Sequence, residues 1–73
     1  MRNTECDALL KIANRLYQQG DYRRVRTLLE IMSEVYPSEV QVWTTLAMVA
    51  NNDGEKTEYL ARASQLQRQV HAY

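Results

Sequence analysis

The chain has 73 residues, with nine basic and nine acidic side chains that cancel, and one cysteine. That length makes one small domain, residues 1–73, with a thin margin of stability. Balanced charge gives no support to nucleic-acid binding, one cysteine allows no intramolecular disulfide, and no apolar run approaches the ~18 residues a membrane span needs. The first residues, Met1-Arg2-Asn3-Thr4-Glu5, include an acid and lack the apolar stretch of a secretory signal, so the expected location is the cytoplasm.

The first predicted helix covers residues 5–19, with Thr4 as cap and Asp7 near the positive helix end. Leu9, Ile12, Ala13 and Leu16 recur at helical spacing, and Ala13 is small where two helices must approach. Gln18-Gln19-Gly20-Asp21 breaks the pattern: Gly20 suits a left-handed C-terminal position and Asp21 caps the next helix. The second helix, residues 22–35, carries Val25, Leu28, Leu29, Ile31, Met32 and Val35. That is wider than one stripe, so the helix is either sandwiched or presents surface to a partner. Arg23, Arg24 and Arg26 read as solvated charges on its polar side.

Pro37 ends the second helix by forcing the preceding residue out of the helical region. Ser38 is expected to cap a third helix bearing Val40, Trp43, Leu46, Ala47 and Ala50. Asn51-Asn52-Asp53-Gly54 is a turn, and a fourth helix from about Glu55 toward Tyr73 shows Tyr59, Ala63, Leu66 and Val70. No strand-like alternation occurs. The expected fold is all-α, two antiparallel helix-turn-helix hairpins over about residues 5–37 and 38–73.

A shift of 34 residues superimposes the two halves. Leu9 falls on Trp43, Ile12 on Leu46, Ala13 on Ala47, Leu16 on Ala50, Gly20 on Gly54, Val25 on Tyr59, Leu29 on Ala63, Met32 on Leu66 and Tyr36 on Val70. Such a period marks a repeat that stacks into a solenoid. Together with the Ala13, Gly20, Tyr22 and Pro37 spacing and the Trp43, Leu46, Ala47 and Gly54 spacing, it resembles the tetratricopeptide repeat. Lys56 stands where the second unit would carry a tyrosine, and Val25, Met32, Tyr59 and Leu66 replace the usual alanines.

The resemblance implies a short right-handed solenoid, and because Leu9, the 34-residue mate of Trp43, lies on the buried stripe, Trp43 is expected in the inter-repeat core. The resemblance also implies a concave groove lined by the first helix of each pair: Asp7, Leu10, Asn14, Tyr17 and Gln18, then Gln41, Thr44, Met48, Asn51 and Asn52. Leu10 and Thr45 stand where carboxylate-clamp members carry a lysine and an asparagine, so the groove suits an apolar helix or extended segment instead. Size and fold are similar to those of the small assembly chaperones of type III secretion systems. The expected function is therefore a non-catalytic protein-binding module. The alternative is self-association of a second copy through Leu28, Ile31, Val35 and Tyr36 on helix two.

Chemistry finds no foothold in the sequence. Cys6 and His71 lie at opposite ends, so no nucleophile, base and orienting group come together. One cysteine and one histidine make no closed zinc set, Glu30 and Glu34 read as a solvated helix face, and two glycines form no phosphate loop. No enzyme activity, metal, cofactor, small-molecule substrate, nucleic acid or membrane insertion is expected.

Overall fold

The computed structural model describes residues 4–70, with side chains through Arg68. His71, the approach to Tyr73 and the matching of Tyr36 with the side chain of Val70 lie outside the described residues. Within them the chain is all-helical: α1 (Thr4–Gln18), α2 (Tyr22–Val35), α3 (Val40–Met48) and α4 (Asp53–Val70). Each helix packs on the next in sequence, α1 on α2, α2 on α3 and α3 on α4. The body measures 40 × 30 × 18 Å. Its least dimension is about two helix layers, given interaxial distances of roughly 8–10 Å.

The α1–α2 turn forms as the residues demand. Gly20 sits at φ 81°, the one positive φ among the described residues. Its N–H donates to the Tyr17 carbonyl at 3.0 Å, and Asp21 N–H donates to the Leu16 carbonyl at 3.0 Å. This is a Schellman closure, which satisfies the last carbonyls of α1. Asp21 then caps α2 by accepting from Arg24 N–H at 3.4 Å. Tyr36, at φ −124°, leaves the helical region just before Pro37 and ends α2.

Three expected helix starts differ, the first because Thr4, expected as a cap, is already the first residue of α1. The N-cap of α3 is Glu39, without a side-chain cap bond, and exposed Ser38 lies one residue outside it. Helix α4 begins at Asp53 rather than Glu55, because Asn52 Oδ1 accepts from Glu55 N–H at 2.9 Å while Glu55 Oε1 accepts from Asn51 N–H at 3.0 Å. Gly54 therefore lies within the first helical turn, whereas its register mate Gly20 breaks a helix.

The core is Cys6 and Ala13 from α1, Val25, Leu29 and Met32 from α2, and Val42, Leu46 and Val49 from α3 and its end. Ala47 and Ala63 are also buried, where α3 meets α4. Ile12, predicted on the buried stripe, is 50% exposed, while its mate Leu46 is only 1% exposed. Helix α3 has major neighbours on two sides and α1 has one, so the same register position is covered on α3 and open on α1. Trp43 is half-buried at the periphery of this core. Its ring lies 6.2 Å from that of Tyr59 on α4, and its Nε1–H donates to the Pro37 carbonyl at 2.9 Å. The Arg62 guanidinium covers it at 5.4 Å. Val42, Leu46 and Val49, rather than Trp43, supply the α3 side chains that are fully buried against the first hairpin's core.

Candidate partner-binding cleft

Between α1 and α3 lies an open cleft of about 480 Å³, lined by Asp7, Leu10, Lys11, Asn14, Tyr17, Gln41, Thr45 and Met48. Helical spacing explains this lining. Leu10 and Lys11 lie three and four residues after Asp7, Asn14 lies four and three after them, and Tyr17 three further on, all along one side of α1. Gln41, Thr45 and Met48 likewise share one side of α3. The opposite side of each helix is held by the core, through Cys6 and Ala13 on α1 and Val42, Leu46 and Val49 at α3. Leu10 and Tyr17 are half-buried and pack against that core, so their remaining surface is a fixed apolar floor. Met48 stands 60% exposed at the end of α3.

Asp7, Leu10, Asn14, Tyr17, Gln41 and Met48, predicted as groove residues, thus share one cleft, and Lys11 and Thr45 join them. Lys11 and Thr45 are 34-residue mates, as are Asp7 with Gln41 and Asn14 with Met48. The register itself was the signal that could have found the two additions. Thr44, Asn51 and Asn52 open instead into a neighbouring cleft of about 390 Å³ between α3 and α4, with Lys56 and Leu60. Gln18 is exposed at the end of α1 and lines neither cleft. Met48 borders both, and also a gap beside Tyr17, Tyr22 and Arg26. Tyr22 rests on Tyr17 with ring centroids 5.1 Å apart, which braces the cleft floor.

Of the three basic residues at the start of α2, Arg26 turns inward. Its Nε–H donates to the Val49 carbonyl at 3.2 Å, tying α2 to the carboxyl end of α3, where a cation complements the helix dipole. Arg24 stays outside in an exposed pair with Asp21 at 3.4 Å.

The second predicted surface divides. Leu28 and Tyr36 are half-buried against the core, whereas Ile31 and Val35 are 57% and 60% exposed. Tyr36 also donates its hydroxyl to Glu5 Oε2 at 3.4 Å. Desolvation pushes its phenol above the ordinary range, and the Glu5 carboxylate adds to the shift. Burial likewise raises the Cys6 thiol and the Tyr59 phenol. Cys6 is thus a core side chain held in its thiol form, which is a weak nucleophile. Among the described residues no three His, Cys, Asp or Glu side chains gather as a metal site, and no helix is long and apolar enough to cross a membrane. No family model, curated protein or solved structure matches the chain.

Proposed function

We propose that the chain is a tetratricopeptide-like binding module, two hairpins stacked as a short right-handed solenoid, whose α1–α3 cleft captures an apolar helix or extended segment of another protein. The observation that carries this reading is the cleft's make-up. Leu10 and Tyr17 form a preformed apolar floor, Met48 is an adaptable thioether at its edge, and Asp7, Lys11, Asn14 and Gln41 supply polar groups around it. Burial of the 34-residue mates Ala13 and Ala47 and of Leu29 and Ala63 supports the repeat. Capture is stoichiometric and requires no bond chemistry. As a small assembly chaperone in the cytoplasm, the module would hold an aggregation-prone segment until its own partner takes it over.

Selection of phage-displayed random peptides on the purified chain tests the reading. The wild type should enrich sequences with apolar anchors at helical or alternating spacing. Leu10→Asp combined with Met48→Glu should lose those peptides while keeping the wild-type helical circular dichroism. Peptides that bind the double variant equally well, or no enrichment at all, would remove the cleft from consideration.

A further inference from the structure

We infer that the outer face of α2 is a two-fold interface for a second copy of this chain, with the two α2 helices packed antiparallel. Val25, Leu29 and Met32 already turn the core face of α2 inward and are fully buried. Beside them runs a second line, Arg24, Leu28, Ile31 and Val35, at steps of four, three and four residues, the spacing of a helix–helix seam. Ile31 and Val35 on that line lie mostly in solvent.

Charge selects the occupant and its direction. Helix α2 has no acidic residue in its first turn and no basic residue in its last. It carries Arg23 and Arg24 at the start and Glu34 at the end, opposite to what the helix dipole favours. Glu34 is also four residues from Glu30, a like-charge spacing. Among the described residues neither Arg23 nor Glu34 has an ion-pair partner. Both lie on one flank of the seam, eleven residues apart. An antiparallel copy places Leu28 against Ile31 about the two-fold axis. It brings Glu34 of each copy beside Arg23 of the other, so every contact is made twice. A parallel copy, related by an axis along the helices, would carry this flank to opposite sides of the seam, away from the same flank of the other copy. The seam is short compared with a permanent interface, so the association is reversible.

Sedimentation velocity from about 10 μM to 1 mM, the range of weak association, tests this on the full chain. The wild type should shift from monomer to dimer. Arg23→Glu or Glu34→Arg alone loses both cross-copy pairs and creates like-charge contacts, and should raise the dissociation constant about tenfold, or ~1.4 kcal/mol. The double swap restores both pairs in reversed order and should return to within about threefold of wild type, which a merely structural effect of either residue would not do. Ile31→Arg, with helicity retained, should remain monomeric throughout. A wild type that is monomeric at every concentration overturns the proposal and leaves the face to a different protein. A double swap as weak as either single swap overturns it as well.

Discussion

Replacing Arg26 by Met keeps the length and apolar stem of the side chain but removes the guanidinium that joins α2 to the end of α3. The bond to the Val49 carbonyl is 3.2 Å long and partly buried, and Val49 itself is 5% exposed. A hydrogen bond from a charged donor contributes about 1.5–3 kcal/mol, and a cation at a helix C-terminus a further ~0.3–1. Partial exposure weakens both, so the expected loss is about 1–2 kcal/mol. For a domain this size that lowers the melting temperature by roughly 5–15 °C. Arg24→Met is the internal control. Its pair with Asp21 is exposed, at 77% for the arginine, and its loss should cost less than about 0.5 kcal/mol. A second readout is independent of stability. Arg26 lowers the Tyr59 phenol against burial and the carboxylates of Glu55, Glu30 and Glu58, so its removal should drive that phenol further up. Thermal unfolding followed by circular dichroism, with an alkaline NMR titration of Tyr59, reads both. Equal melting temperatures for the two variants would refute the tie between α2 and α3.

Leu46→Ala should cost about 2–5 kcal/mol, because its side chain is fully buried at α3 and leaves a cavity. Against a total of roughly 4–11 kcal/mol for 73 residues, chemical denaturation should show a much reduced midpoint or an unfolded chain. Ile12→Ala, at the register-equivalent and half-exposed position, should lose less than half as much in the same assay. Gly20→Ala places a side chain at φ 81° and should cost about 1–2 kcal/mol, although nothing obstructs the new methyl group. Gly54→Ala gains helix propensity, about 0.5–1 kcal/mol, offset by a 3.2 Å approach to Asn52 Oδ1, and should be near neutral on thermal unfolding. Cys6, Tyr36 and Tyr59 all hold their protons more tightly in the folded state than in the unfolded chain. Their contribution is therefore complete below about pH 8.5 and lost as pH rises through the raised values. The melting temperature should be level from neutrality to that pH and fall beyond it, and a level profile up to pH ~11 would contradict the assignment.

Helix positions, the Schellman turn at Gly20, the Asp21 cap and the stop before Pro37 were legible because each depends on backbone chemistry within a few residues. The 34-residue register was equally local in origin. It aligned Ala13 with Ala47 and Leu29 with Ala63, and all four are buried. It also ordered the cleft, whose opposed pairs Asp7 with Gln41 and Asn14 with Met48 are register mates.

What periodicity could not state is how many neighbours each helix has. Ile12 and Leu46 occupy one register position, yet one is half in solvent and the other sealed, since α3 is packed from both sides and α1 chiefly from one. Within α3, Thr44 opens to the α4 side while Thr45, one residue on, lines the α1–α3 cleft, and Asn51 beyond the helix end also opens to the α4 side. Gly54 became part of a helix once Asn52 and Glu55 capped it early. Arg26 became a structural tie only because folding carried Val49 to it across 23 residues. Side-chain pattern alone thus determined four helices and the 34-residue register that aligns their buried positions. Burial, and with it the division between core, cleft and outer face, was decided by which helices came to lie beside one another.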